Sequence, residues 1–289
     1  MIQLQNEFLS AAFRPKGAEL VSLILRSASL DFMWEGDPAF WGKHSPVLFP
    51  IVGGLKDNTY FFNGKAYPLP RHGFAREKTF AVEHLSDASV TFLLTHDEST
   101  LAVYPFAFAF RIRYTLNDNQ LQVTYLVENP GDTPMWFSVG GHPAFKVPFL
   151  AGTTYEDYVL SFNQKEDWAR WPLTPAGLIE KAPVLLAQAT TELPLTKELF
   201  YEDALVFKNY RSDSVTLHTP KSAHSLRFDF AGFPYLGVWA IKNADFVCIE
   251  PWCGIADSVD HPQDITRKEG IIVLPAKGSF ERTWTVTLC

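Results

Sequence analysis

Alternating hydrophobic and polar positions mark several segments of the chain as β-strands with one buried face. Between residues 106 and 116 every second side chain is large and apolar: Phe106, Phe108, Phe110, Ile112, Tyr114 and Leu116. The alternation resumes after the turn residues 117–119, with Leu121, Val123, Tyr125 and Val127. Since a two-residue period is typical of a strand, we expect these two segments to form an antiparallel hairpin.

The same alternation recurs near the C-terminus, in Leu226, Phe228 and Phe230 and again in Trp284, Val286 and Leu288. Helical periodicity is weak, and the two candidates, around residues 37–43 and 196–200, are one or two turns long and flanked by proline. The 24 Phe, 20 Pro and 17 Gly of the chain indicate many short strands joined by turns. These features predict an all-β fold, a large antiparallel β-sandwich with a few short helices.

One segment lacks the strand pattern. Residues 168–195 are rich in Pro, Thr and Ala and show little alternation. Strand patterns resume beyond this segment, so we interpret it as a long excursion over the surface and not as a linker. The 289 residues are therefore expected to form a single domain, 1–289.

Charge and cysteine usage narrow the functional classes. The chain carries 25 Lys and Arg against 32 Asp and Glu, a net charge of −7, which argues against nucleic acid or anionic lipid as a partner. It has no apolar run near the roughly 18 residues of a membrane helix and no secretory leader, so we expect a cytoplasmic location. The three cysteines, Cys248, Cys253 and Cys289, do not form a disulfide framework and have no partners at zinc-like spacing.

Three short segments place proton-transfer groups beside Gly or Pro: 69–76 with His72, 138–145 with His142, and 246–254 with Glu250. His142 lies in an ion-poor stretch, and loss of hydration there lowers a histidine pKa. Glu250 ends an apolar run, and burial at such a position raises a carboxylate pKa towards the range of a base that works near neutrality. The other six histidines lie in mixed polar segments and are interpreted as structural.

The sequence resembles the aldose 1-epimerase (galactose mutarotase) family, and within it the LacX-like branch. The resemblance extends over nearly the whole chain, and its motifs are Lys16-Gly17-Ala18-Glu19-Leu20, Met33-Trp34, Leu48-Phe49-Pro50-Ile51-Val52-Gly53, Arg71-His72-Gly73-Phe74, Gly141-His142-Pro143-Ala144-Phe145, Glu202-Asp203-Ala204-Leu205 and Glu250-Pro251-Trp252. It implies a β-supersandwich, no cofactor and a small-molecule sugar substrate whose α and β anomers are interconverted. We expect a monomer or homodimer that acts without nucleic acid or membrane.

Carried over by position, the resemblance makes Glu250 the general base, His142 the general acid and His72 a second hydrogen-bonding histidine. Asp203 matches the acidic residue that binds sugar hydroxyls. Trp252 and Phe145 adjoin the catalytic candidates and offer rings for stacking on a pyranose. Aromatic residues of the buried core would give the same sequence pattern.

The sequence departs from the family where many relatives have an arginine just after the Phe-Pro-Ile-Val-Gly run. This chain has Gly53, Gly54, Leu55 and Lys56 there, so Lys56, Arg71 or Arg76 would have to supply the cation.

Three other functions stay open at this stage. The first is a hexose-6-phosphate mutarotase, because residues 72–76 share the His-Gly-Phe-Ala-Arg motif of that branch and arginine favours phosphate. The second is a sugar-binding protein without turnover. The third, a metal site of His72, His142 and Glu250, is disfavoured because these residues are far apart in the sequence.

Overall fold

Short strands dominate the structure, a computed structural model that describes residues 1–289. The strands are, in chain order, β1 (Ile2–Gln5), β2 (Leu9–Arg14), β3 (Glu19–Leu25), β4 (Leu30–Asp31), β5 (Val47–Leu48), β6 (Thr59–Phe62), β7 (Lys65–Pro68), β8 (Ala81–Leu85), β9 (Ser89–Thr95), β10 (Ala109–Asn117), β11 (Gln120–Glu128), β12 (Met135–Phe137), β13 (Val139–Gly141), β14 (Ala144–Lys146), β15 (Val159–Arg170), β16 (Val184–Pro194), β17 (Leu205–Lys208), β18 (Ser214–His218), β19 (Ser225–Asp229), β20 (Tyr235–Trp239), β21 (Phe246–Cys253), β22 (Ile272–Leu274) and β23 (Ser279–Leu288).

Fifteen of these strands form one antiparallel sheet. Its order is β5-β13-β21-β20-β17-β15-β18-β19-β23-β11-β10-β9-β8, with β14 paired to β21 and β16 paired to β15. The first four strands make a separate sheet, and β12-β22 and β6-β7 are two-stranded ribbons. The expected all-β architecture is confirmed.

Two separate parts of the large sheet, one around β13 and β14 and the other around β19 and β11, pack on each other as the layers of a sandwich. Phe145 of β14 meets Phe228 of β19 with ring centroids 5.9 Å apart. The layers also approach each other closely at Gly141, where a Cβ atom would lie 2.8 Å from the Tyr125 hydroxyl. A side chain at this position would force the layers apart, which explains the glycine.

The hairpin expected between residues 106 and 127 is confirmed. β10 pairs with β11 in unbroken register from Ala109↔Glu128 to Asn117↔Gln120. All the alternating apolar residues named above, including those near the C-terminus, are buried. Period-two alternation therefore identified the inward faces of the central strands correctly.

Helices are few and short. The α-helix α1 (Glu98–Val103) was not expected from the sequence, and the 3₁₀ turns are Lys56–Asn58, Ala75–Glu77, Tyr155–Asp157, Lys197–Phe200 and Ile265–Arg267. The helix expected near residues 196–200 is thus present as a 3₁₀ turn. The one expected at 37–43 is wrong, because the segment makes a single turn in which Phe40 and Trp41 both donate to the Asp37 carbonyl. None of the helices is long and apolar enough to cross a membrane.

The interpretation of residues 168–195 as a surface excursion needs correction. Much of this segment is the long hairpin of β15 and β16, whose register shifts three times. These bulges explain why the alternation was not visible in the sequence. Between the strands the chain crosses the face of the large sheet, where Ile179 is buried and donates its backbone N–H to the Asp257 carbonyl.

Candidate active site

The large sheet carries one cleft that collects most of the residues singled out from the sequence. The cleft encloses about 400 Å³, a volume in the range of small-molecule sites. Fourteen residues line it: Trp41, Arg71, His72, Arg76, His142, Phe200, Asp203, Ala204, Trp239, Ala240, Ile241, Lys242, Glu250 and Trp252. His72, His142, Asp203 and Glu250 therefore converge, as expected, although their sequence positions span 179 residues.

Strand register places His142 opposite Glu250. β13 and β14 both pair with β21, through Gly140↔Trp252 on one side and Ala144↔Cys248 on the other. His142 and Pro143 interrupt the pairing between them, because proline has no N–H to donate to the ladder. The interruption frees the His142 side chain to face the cleft, and its Nε2 lies 3.3 Å from Glu250 Oε2.

Burial shifts the pKa values of this pair in opposite directions. Glu250 is 2% exposed and His142 is 7% exposed. Removal from water disfavours each charged form, so it raises the pKa of Glu250 well above its usual value and lowers that of His142 to about 3. Both directions agree with the sequence-based expectation. Burial therefore favours the neutral carboxyl group of Glu250 and the neutral imidazole of His142.

Two atoms of this pair are left for a ligand. Glu250 Oε2 and His142 Nδ1 are buried and, apart from the 3.3 Å contact between His142 Nε2 and Oε2, meet no hydrogen-bonding group of the protein. Buried polar atoms without partners are uncommon. These two atoms mark where an incoming hydroxyl group or ion would be held.

Trp252 lies flat against the sheet beside Glu250. A Cβ atom at Gly237 would lie 2.5 Å from its ring, and one at Gly140 would lie 2.7 Å from it. The two neighbouring strands thus use glycine where the indole crosses them. Its Nε1 atom is buried without a partner, and the ring forms part of the cleft wall, as a sugar-stacking residue must.

His72 is positioned by a turn and not by a strand. Its φ angle of 70° lies in the left-handed region, which is uncommon for a residue other than glycine. The Gly53 N–H donates to His72 Nδ1 over 3.1 Å, so the ring proton of the neutral form is on Nε2. Burial, followed by the charges of Arg71 and His142, lowers the His72 pKa well below its usual value, which makes His72 a neutral donor.

Arg71 and Asp203 form a loose ion pair at the mouth of the cleft. Both contacts between the guanidinium and the carboxylate measure 3.4 Å. Asp203 also has a left-handed φ of 88° and accepts the Ala204 N–H. Arg76 lies behind this pair, where its Nη2 donates to the Arg71 carbonyl while its buried Nε has no partner.

Two tryptophans that the sequence analysis missed hold the His142 ring. Trp41 stacks on it with centroids 5.1 Å apart, and Trp239 meets it edge-on at 5.4 Å. Tyr235, Gly237 and Trp239 lie at alternating positions of β20, on the face that meets the cleft. This alternation could have predicted the position of Trp239 from the sequence. Trp41 had no such signal, since it lies in the turn that was expected to be helical.

Two of the proposed residues do not reach the cleft. The Phe145 ring is buried in the sandwich against Phe228, so its assignment to sugar stacking is wrong. Neighbouring positions on a strand point to opposite faces, and Phe145 belongs to the core face of β14. Lys56 also turns away, with Nζ 3.4 Å from the Val259 carbonyl, which leaves Arg71 and Arg76 as the arginines of the cleft.

The potential metal ligands in the cleft differ from those considered in the sequence. His72 lies beside His142 with ring centroids 5.8 Å apart. The group whose ligand atoms all lie within 4.8 Å of one another is His142, Cys248 and Glu250. Cys248 is buried and not disulfide-bonded.

Comparisons with known proteins find relatives that match nearly the whole chain. The family model described as aldose 1-epimerase matches residues 1–277. The chain is 33% identical to protein LacX of Lactococcus lactis subsp. lactis, in both its plasmid and chromosomal forms, over 99% of each sequence. The solved structure of a galactose mutarotase related enzyme from Lactobacillus acidophilus is 36% identical, with a TM-score of 0.95 over 100% of this chain and 97% of that one. A galactose mutarotase-like protein from Lactobacillus casei is 32% identical, with a TM-score of 0.94 over 100% of both chains.

Proposed function

Because the chain belongs to the aldose 1-epimerase family, we propose that it interconverts the α and β anomers of an aldose, with Glu250 as general base and His142 as general acid. The observation that carries the proposal is the 3.3 Å separation of His142 Nε2 and Glu250 Oε2 inside a cleft of sugar size. The anomeric hydroxyl and the ring oxygen are bonded to the same carbon. The acid and base that serve them must therefore be neighbours.

The reaction consists of balanced proton transfers. The Glu250 carboxylate takes the proton of the anomeric hydroxyl, the imidazolium of His142 protonates the ring oxygen, and the bond between that oxygen and the anomeric carbon breaks. The resulting aldehyde rotates about its bond to the next carbon. Return of both protons closes the ring on the other face. The chemistry needs proton transfer at two atoms, and such catalysis contributes about 10²–10⁴-fold per group.

The pKa directions fit this cycle. Ring opening leaves the proton of the pair on Glu250 and leaves His142 neutral, which is the state that burial favours. The reactive state, with carboxylate and imidazolium, is reached when the proton crosses the short contact between the two groups. Burial thus drives the proton transfers in the direction of ring opening.

The remaining cleft residues orient the sugar. His72 is proposed to donate from Nε2, and Asp203 with Arg71 to bind hydroxyls at the mouth. Trp252 supplies an apolar wall for the pyranose. We also propose that residues 1–289 act as one domain, since a single cluster of buried hydrophobic residues extends from Leu4 to Leu288.

Polarimetry tests the proposal. Freshly dissolved α-glucose and α-galactose should reach their equilibrium rotation faster with the protein than without it. The Glu250→Gln variant is the matched control, because it keeps the shape of the site and cannot take the proton. Acceleration by neither protein would contradict the proposal and favour a sugar-binding protein without turnover.

A second candidate, anomerisation of a sugar phosphate, is favoured by Arg76. This half-buried guanidinium lies in the cleft and forms no ion pair, and burial lowers its pKa. A half-buried cation without an ion pair is stabilised by an anionic ligand. The comparison is between glucose and glucose 6-phosphate as substrates, with the wild-type protein and Arg76→Ala. A preference for the phosphate that disappears in Arg76→Ala would select this candidate, and equal use of both sugars by both proteins would reject it.

A further inference from the structure

We propose that the floor of the cleft is a binding site for a thiophilic divalent metal ion of the zinc class, formed by His142, Cys248 and Glu250. Two of these residues are the proposed catalytic pair, so the ion would occupy the place of the two exchanging protons and stop the reaction. This part of the inference rests on the proposed function. The metal site itself does not.

Strand geometry explains why the three ligands converge. Cys248 and Glu250 are two residues apart on β21 and therefore point to the same face. His142 reaches that face from the interruption between β13 and β14, opposite Glu250. Their ligand atoms all lie within 4.8 Å of one another, so no change in the backbone is needed to bring them to one ion.

The distance between the His142 and Glu250 ligand atoms matches that of two ligands of a tetrahedral ion. Zinc bonds of about 2.0–2.2 Å to nitrogen and oxygen, at tetrahedral angles, place two such ligand atoms about 3.3–3.5 Å apart. The observed separation of His142 Nε2 and Glu250 Oε2 is 3.3 Å. A third ligand from Cys248 leaves one position, which opens towards the cleft that His142 and Glu250 line.

Charge balance also favours an ion at this point. A doubly charged cation with one thiolate and one carboxylate makes a neutral group, which a buried site tolerates better than any of the separate charges. Glu250 Oε2 is buried, and its one close polar neighbour in the protein is His142 Nε2, which would bind the same ion. On binding, the Cys248 thiol and the Glu250 carboxyl group release their protons to solvent.

Cobalt(II) spectroscopy tests the site without reference to activity. All proteins would carry Cys289→Ala, because the exposed Cys289 thiol could bind cobalt on its own. Cobalt(II) should produce a thiolate charge-transfer band and tetrahedral visible bands in this parent. Cys248→Ser should lose the charge-transfer band and bind cobalt about 100-fold more weakly or worse, since even outer-shell partners of a metal ligand are worth about 10–100-fold. Cys253→Ala, which removes the other buried thiol, should keep the bands.

Polarimetry with and without zinc supplies the second readout. In metal-free buffer the parent and Cys248→Ser should anomerise sugar at rates within about twofold of each other, because Cys248 takes no part in proton transfer. Added zinc should inhibit the parent, reversibly with EDTA, at concentrations that leave Cys248→Ser active. Cys248→Ala serves as a second variant, and circular dichroism checks the folding of each.

The outcomes separate the two proposals. A parent without thiolate bands, a band that survives in Cys248→Ser, or equal zinc inhibition of both proteins would overturn the metal site. Thiolate bands in a protein without measurable anomerisation would keep the metal site and contradict the proposed function.

Discussion

The two halves of the cleft are built in different ways. His142 and Glu250 belong to a strand half, in which the register of β13, β14 and β21 sets their positions. His72 and Asp203 belong to a loop half, in which each residue occupies a turn with a left-handed φ angle. The strand half and His72 are buried, whereas the Asp203 side chain is 28% exposed and the Arg71 side chain that pairs with it is 42% exposed.

Hydrogen bonding differs in the same way. In the strand half Glu250 Oε2 and His142 Nδ1 have no partners within the protein apart from the contact between His142 Nε2 and Oε2. In the loop half His72 is fixed by Gly53, and Asp203 by Ala204 and Arg71. Left-handed conformations of this kind cost about 1–3 kcal/mol each and persist where the surroundings enforce them. The comparison suggests that the strand half transfers protons and that the loop half orients the sugar.

The largest expected effect is in the strand half. Glu250→Gln should lower kcat by about 10²–10⁴-fold and leave sugar affinity within about tenfold, because the amide keeps the shape and one acceptor. His142→Asn should behave alike, and the double variant should be little worse than either, since the two residues act as a unit. Polarimetry gives the rates and calorimetry gives the binding. More than a tenth of wild-type activity in Glu250→Gln would refute its assignment as base.

A smaller effect is expected for His72 in the loop half. Asparagine tolerates the left-handed conformation and retains an acceptor for the Gly53 N–H, but it is too short to replace the Nε2 donor. His72→Asn should therefore lower kcat/KM about tenfold, the value of roughly one hydrogen bond, with changes in both kcat and KM. A loss as large as that of Glu250→Gln would place His72 in the proton-transfer machinery and break the comparison.

The same division explains what the sequence could predict. Alternation identified the β-sandwich, because each inward residue of β10, β11 and β23 obeys the two-residue period. The motifs shared with the family predicted that His72, His142, Asp203 and Glu250 belong to one site. Local patterns could not predict their separations, since these depend on pairing between strands far apart in the chain.

The incorrect or missing predictions also have local causes. Phe145 follows His142 closely in sequence, but its place on the core face of β14 is set by the pairing of that strand with β21. Trp41 lies in a turn without periodicity, so nothing in its neighbours indicated that its ring stacks on His142. The bulges of β15 hid a long hairpin within an irregular sequence.

Asp203→Asn should have a still smaller effect, chiefly on KM. The side chain keeps its hydrogen bond with the Ala204 N–H but loses the charge that faces Arg71. Exposed ion pairs are worth about 1 kcal/mol or less, so KM should rise by up to about fivefold while kcat stays within about twofold. Asp229→Asn, which breaks the exposed pair with Arg227 away from the cleft, is the matched control and should change neither constant. A dominant loss of kcat would move Asp203 to the chemical step.

The pH dependence should be the weakest effect across the neutral range. His142 and Glu250 work together when the pair holds one proton, and a tightly coupled pair titrates as a unit. Because burial lowers the His142 pKa to about 3, a second proton joins the pair only in strong acid. Because burial raises the Glu250 pKa, the last proton leaves only well above the usual carboxylate range. The pH range in which the pair holds one proton is therefore extended at both its acidic and its alkaline end. We expect kcat/KM to be nearly constant from about pH 4 until the alkaline loss of that proton.

Polarimetry between pH 4 and 9, with the uncatalysed rate subtracted at each point, measures this profile. An acidic limb near the ordinary histidine pKa would contradict the expectation, since it would mean that water reaches His142 and that the strand half is as open as the mouth of the cleft at Arg71 and Asp203.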